Sequence, residues 1–284
     1  MYKKYKITLA IVFIIQFLGL PFVQANNTLS EGSIYTYRIV ESEWDYVAGN
    51  DQSKGIGFKF EDQLFDCDES LIATVEEVDY NYVEFTVSVG SESAPYSINQ
   101  MVALGFTFLL SRPFSLVYDI AYYIETEADN GLALQHMYYM PPEIFGDYFS
   151  SLSDENVIAS EYPDDEDITY NDVGGSLTIS SNIVNFDWVM DAHYFDESEG
   201  TDYSGTYSLS IQYDQTTGLL YGYRIDLDYA GTYEHQSVDL ESHQGLELQE
   251  NTKASSIPIY WCVLPLQTLS FIYLVQIIKR RKNK

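Results

Sequence analysis

Positive charge is scarce in this 284-residue chain: 14 Lys and Arg face 43 Asp and Glu, a formal net charge of −29 at pH 7. Eight of the 14 basic residues sit at the ends, as Lys3, Lys4 and Lys6 and as Lys279, Arg280, Arg281, Lys282 and Lys284. Only Arg38, Lys54, Lys59, Arg112, Arg224 and Lys253 lie between, alongside all 43 acids from Glu31 to Glu250. This excludes nucleic acid and anionic headgroups as partners of the middle, because binding them takes clustered Lys and Arg that release counterions. Cysteine is nearly missing too. Cys67 and Cys262 alone cannot form a disulfide framework, and Cys67 lies among Asp66, Asp68 and Glu69, which disfavour a thiolate. Catalytic motifs are absent as well: none of His136, His193, His235 and His243 opens a His-Glu-x-x-His, and no Gly-x-Ser-x-Gly elbow occurs. The chain therefore reads as non-enzymatic, with no catalytic residue and no cofactor assigned; a secreted hydrolase working through a carboxylate pair is the lesser alternative, and nothing in the sequence picks two of the 43 acids for it.

Uncharged stretches beside the basic ends carry the targeting information. Lys3, Lys4 and Lys6 precede the apolar run Ile7 to Val23, and Val23-Gln24-Ala25 offers the small residues that a signal peptidase reads. Residues 1–25 are thus expected to be a signal peptide cut before Asn26. At the other end, residues 257–278 contain no charge and, as a helix, reach about 33 Å, enough for a hydrocarbon core of about 30 Å. The basic tail 279–284 is a stop-transfer signal that stays cytoplasmic. The expected topology is a single-pass protein of the cell membrane, N-terminus outside, with the lipid bilayer as partner of its C-terminal helix. The Leu264-Pro265-Leu266-Gln267-Thr268 stretch falls in the middle of that span, where a sortase motif does not belong.

Residues 26–256 form the extracellular part. Acidity of this degree can mark disorder, but 22 tyrosines and many branched aliphatics supply the apolar area of a folded domain. Val83, Phe85, Val87 and Val89 alternate with polar residues, and Leu71 to Val78 precedes them across a short turn, which predicts a β-hairpin. Ile34 to Val40 predicts another strand. Later runs predict strands over Leu177 to Ile183, Phe186 to Tyr194, Tyr203 to Tyr213, Leu219 to Tyr229 and Tyr233 to Leu240, with a turn at Asp214 to Gly218. Between the two groups the pattern changes. Ser97 to Gln100 matches a capping box, and 17 of the 24 residues from Met101 to Ile124 are apolar, interrupted at Pro113. This predicts a helical insert over about 97–160. The fold class expected is α+β, a curved antiparallel sheet, half-barrel-like, wrapped around the central apolar insert. If the insert borders a cavity, Met101, Leu104, Phe106, Phe108, Phe114, Leu116 and Tyr122 are the residues to line it.

Two resemblances rest on these elements. A secreted acidic domain with Glu43-Trp44, the acidic loop after Pro163, the Asp214 to Gly218 hairpin and the run Leu219 to Tyr223 resembles the choice-of-anchor group of archaeal surface proteins, in particular its S family, over most of residues 26–256. That family has no established activity, so the resemblance implies surface display and no catalytic residues. The order of elements is similar to the LolA and LppX kind of half-barrel lipoprotein carriers, which hold acyl chains between sheet and helices. This implies an apolar ligand as an alternative partner to other surface proteins. The chain lacks the lipid-modified cysteine that many of those carriers use.

Polar candidates are few. Asp164, Asp165 and Asp167 offer oxygens to calcium, but Thr169 and Tyr170 stand where an EF-hand loop needs Asp or Asn and then Gly. Asp196 to Asp202 is a second acidic stretch. Asn26-Asn27-Thr28 is the one glycosylation sequon. Asp191 and His193 share a strand face, and Glu234-His235 and Glu241 to His243 are expected to approach them across a hairpin. Trp44 and Trp188 suit either sugar stacking or a core.

Overall fold

The computed structural model describes residues 29–61, 63–79, 82–99, 103, 132–133, 137–142, 149–162 and 167–252. The predicted signal peptide, the C-terminal apolar segment with its tail, and most of the insert lie outside the described residues. Within them the protein is mostly antiparallel β-sheet with little helix, and no helix is long and apolar enough to cross a membrane.

Strands β1 (Ile34–Ala48), β2 (Asp51–Ile56), β5 (Ser70–Val78), β6 (Tyr82–Val89), β7 (Glu92–Asn99), β9 (Ile168–Ser180), β10 (Ile183–Asp196), β11 (Thr201–Asp214), β12 (Leu220–Tyr233) and β13 (Gln236–Thr252) make one ten-stranded sheet. Its order is β7-β6-β5-β1-β13-β12-β11-β10-β9, with β2 also on β1. The strand β1 joins two meanders. Along one side it pairs with β13 over its whole length, from Ile34↔Thr252 to Ala48↔Val238; along the other, its first residues pair with β5 and its last with β2. A small second sheet consists of β3 (Phe58–Phe60), β4 (Gln63–Phe65) and the two-residue β8 (Leu132–Ala133).

Alternation explains the sheet. Val184, Phe186, Trp188, Met190 and Ala192 are buried along β10, as are Tyr203, Tyr207, Leu209, Ile211 and Tyr213 along β11, while their neighbours in sequence face solvent. A period of two would turn the pattern inside out if the register slipped by one, and bulges correct for this. In β1 the buried set is Tyr35, Tyr37 and Ile39, then Ser42, Trp44 and Tyr46. The change of parity falls where the register shifts between Ile39 and Glu41, with Val40 as the extra residue, so both sets face the same side.

Hairpin turns use left-handed backbone. Ser181 and Asn182 (φ 49° and 72°) close β9 to β10, and Glu234 and His235 (φ 47° and 66°) close β12 to β13. The predicted strands over 177–183 and 233–240 therefore each run through a turn, which non-glycine residues disguised. The Asp214 to Gly218 turn is as expected, with Gly218 at φ 73° and the Asp214 carboxylate accepting from the N–H groups of Thr216 and Thr217. Another expectation needs correcting. Ser97 is no helix cap: residues 97–99 finish β7, with Ser97 opposite Glu84 and Ile98 buried. Cross-strand pairing and burial of Ile98 outweigh the local capping option.

Part of the segment between β7 and β9 covers the buried face. Tyr138 lies against Tyr37, Phe85 and Tyr96, with ring centroids 5.7, 6.1 and 6.4 Å apart. Phe149 stacks on Phe186 at 4.3 Å, and Tyr162 meets Trp188 at 5.6 Å and Tyr170 at 5.8 Å. The helix α1 (Glu155–Glu161) starts at Asp154, whose carboxylate accepts from the Asn156 N–H at 2.8 Å and the Val157 N–H at 3.4 Å.

Candidate functional site

Most residues nominated from sequence fall outside the described residues: Met101, Leu104, Phe106, Phe108, Phe114, Leu116 and Tyr122, the calcium candidates Asp164 and Asp165, and Asn26. Asp167 is exposed, and its carbonyl accepts the Phe195 N–H at 2.8 Å. In the Asp196 to Asp202 stretch, residues 197–200 form the turn that joins β10 to β11. Asp196 turns its carboxylate inward on that turn, accepting from Ser198 N–H, Ser198 Oγ and Glu199 N–H at 2.8, 2.7 and 3.1 Å, and the Ser198 hydroxyl foremost holds its pKa below the ordinary carboxylate value. Among the described residues no group of three or more His, Cys, Asp or Glu is placed to hold a metal. Trp44 and Trp188 belong to the core, and Gly55 of β2 lies beneath the Trp44 ring, where a Cβ would come within 2.3 Å of it.

The three described histidines do not converge, and His136 lies outside the described residues. His193 pairs with Asp202 at 2.8 Å, and Gly200 of the β10–β11 turn lies against the His235 ring. His243 belongs to a different cluster, on the solvent face of β12 and β13. Its Nδ1 is 2.7 Å from Asp226 Oδ1 and its Nε2 3.3 Å from Glu241 Oε1. Arg224 closes the group: its Nε donates to both Asp226 oxygens at 3.2 and 3.1 Å, and its Nη2 lies 3.0 Å from Glu41. Ser208 Oγ donates to Asp226 from β11 at 3.3 Å. Register creates the cluster, since Ser208, Asp226 and His243 stand directly opposite one another on three adjacent strands. The hydrogen bond to Asp226 raises the His243 pKa above its ordinary value. Burial alone would raise Asp226, but bonds from His243 and Arg224 outweigh it and hold the carboxyl below its usual range.

Beside this cluster the solvent face opens into a pocket of about 460 Å³ across β9 to β12. Its floor is made of small side chains, Gly174 and Ser176 on β9 with Ser208 and Ser210 on β11, around the partly exposed Val189. Asp172 and Asp187 stand on one side, Arg224 and Asp226 on the other. No family model matches this chain, and no curated protein does.

Sequence reasoning passed over Asp226 and Arg224, because neither belongs to a motif; their partners arrive from 17 residues away on the next strand (His243) and, for Glu41, from the opposite end of the chain. A signal was available in the period-two pattern of β12, which puts Arg224, Asp226 and Asp228 on one face. It remained unused because solvent-face charge is ordinary in an acidic sheet.

Proposed function

We propose that this chain is a membrane-anchored cell-surface protein whose acidic β domain acts by binding or as a structural module, not by catalysis. In this reading the sheet curves half-barrel-like around the apolar insert, and residues 257–278 form the anchor. The observation that supports it most is the register Ile34↔Thr252. The first strand begins and the last strand ends side by side, at one end of the sheet's central strands, so an anchor starting five residues after Thr252 would tether the domain by that end. The β10–β11 and β12–β13 turns would then point away from the bilayer, available to partners. An epitope inserted between Glu234 and His235 should be reached by antibody on intact cells, while one after Lys284 should be reached only after permeabilisation. Staining of the second epitope on intact cells, or failure to reach the first, overturns the topology.

A second reading, a carrier of an apolar ligand with a polar head, has its own support. Trp188 Nε1 and Tyr203 Oη lie on the covered face, are fully buried, and have no hydrogen-bond partner among the described residues. Such groups cost about 1–3 kcal/mol each when left unmet. Native mass spectrometry of the detergent-released chain separates the two: a stoichiometric lipid of one class supports the carrier, whereas bare protein that also ignores fluorescent fatty acid supports a packed core.

A further inference from the structure

From the solvent-face pocket we infer that the sheet carries a binding site for a neutral, hydroxyl-rich ligand of mono- or disaccharide size. The inference deepens the reading of this domain as a binding module but does not depend on where the chain is anchored. The size suits a ligand lying in an open depression of the sheet face: about 460 Å³ spans four strands, about 14 Å at the usual strand spacing.

Chemistry narrows the class. The pocket presents both hydrogen-bond senses within one sugar's reach: hydroxyls of Ser176, Ser208 and Ser210, carboxylates of Asp172 and Asp187, and the guanidinium of Arg224. Vicinal hydroxyls, each donor and acceptor, match such a mixture. Anionic ligands meet three aspartates against a single arginine. A compact cation meets Arg224 on the wall, and Asp226, the carboxylate beside it, is already engaged by Arg224, His243 and Ser208. A wholly apolar ligand would leave six polar side chains unpaired around it. The exposed lining is itself more apolar than polar, with Val189 at its centre, which suits the C–H face of a pyranose ringed by polar groups.

The walls are also prepared in advance. Arg224 is held by Asp226 and Glu41 together, and Asp226 is fixed from the far side by His243. Side chains ordered before binding lose less entropy on it. Room is left by Gly174, whose absent Cβ would meet nothing within 4 Å. Its neighbour Gly175 is different, since a Cβ there would meet the Phe186 ring at 2.7 Å and the Leu152 carbonyl at 2.9 Å. One glycine serves packing, and the other leaves the floor open.

Gly174→Leu is the discriminating variant, because it fills the pocket without touching the core. Full-length protein in detergent would be titrated by calorimetry with maltose, cellobiose and N,N′-diacetylchitobiose, and in parallel with putrescine and with inorganic phosphate. Saturable binding of at least one sugar is expected, weakened at least about tenfold by Gly174→Leu at unchanged melting temperature and also by Ser208→Leu, which gives up its hydrogen bond to Asp226. No sugar binding up to about 10 mM, sugar binding indifferent to both substitutions, or saturable binding of putrescine or phosphate alone overturns the inference. Epitope accessibility on cells bears on the anchor and is unaffected by any of these results.

Discussion

Truncating Phe149 to alanine tests whether the segment after β8 is a fixed cover of the sheet. Phe149 is 1% exposed and its ring lies 4.3 Å from that of Phe186, inclined by 20°. The same segment is tied to the sheet edge by the Gly175 N–H donating to the Leu152 carbonyl at 3.0 Å. Burying a phenylalanine removes about 200 Å² from water, worth about 5 kcal/mol at about 25 cal/mol per Å², an upper bound because unfolded chains are themselves partly compact. Measured Phe→Ala costs of about 3–5 kcal/mol include the cavity left behind, so Phe149→Ala should cost about that much. Phe149→Leu, which keeps most of the volume, should cost about 1.5 kcal/mol or less. Urea unfolding followed by far-UV circular dichroism would measure both, and the Trp188 environment beside Phe186 offers a fluorescence probe. A cycle with Phe186→Ala should give a coupling of about 0.5–1.5 kcal/mol for the ring pair. A cost under about 1 kcal/mol for Phe149→Ala, with no coupling to Phe186, would refute the claim that this segment packs on β10.

Other consequences can be checked on the same material. Gly205 lies under the Tyr229 ring, with Cβ room of only 1.7 Å, so Gly205→Ala should destabilise by about 1–3 kcal/mol in urea while Gly174→Leu does not; equal behaviour of the two would contradict the assigned faces. The His243–Asp226 pair should contribute stability only in a window of pH. A raised His243 pKa stabilises fully below its unfolded value near 6.5 and fades as pH rises through the folded value. A lowered Asp226 pKa stabilises above about 3.9 and fades as pH falls. Both groups are partly exposed, so His243→Gln should lose about 0.5–1 kcal/mol near pH 5.5 and less at pH 8; a loss independent of pH would contradict the pairing. Cys67 should react slowly with a thiol reagent at pH 7, since burial, then Asp66 and Asp68, push its thiol above the ordinary value; a rate matching free cysteine would count against its half-buried placement beside the Ser42 carbonyl.

The β architecture was legible where side chains alternate. The β5–β6 hairpin follows from Leu71 to Val89 read with a period of two, and the structure pairs Leu71 with Val89 through to Val78 with Val83. Legibility failed at turns made without glycine, at Ser181-Asn182 and Glu234-His235, where the signal is the weaker one that Asn and His enter left-handed backbone more readily than most residues. It failed again at Ser97, where a good local cap lost to pairing with Glu84. The pocket was least legible of all. Its lining comes from four strands spread over residues 172 to 226, and the property that makes it a pocket, small side chains meeting in register, has no linear signature.

The two faces of the sheet show why charge did not mark the site. Between residues 26 and 256 every strand needs polar residues on its solvent face, and this chain supplies mostly carboxylates. Against that background an aspartate carries no information, whereas a cation does. Among the described Lys and Arg of this region, Arg224 is the one shown bridging two carboxylates, and it does so at the pocket wall. Arg38 and Lys54 each meet a single acid on the open surface. A lone cation fixed by Asp226 and Glu41 repays its lost mobility chiefly if its remaining donors face something, and the small-residue floor of β9 and β11 leaves them a ligand-sized space to face. In a chain this acidic, the residue that locates the binding surface is therefore the scarce one.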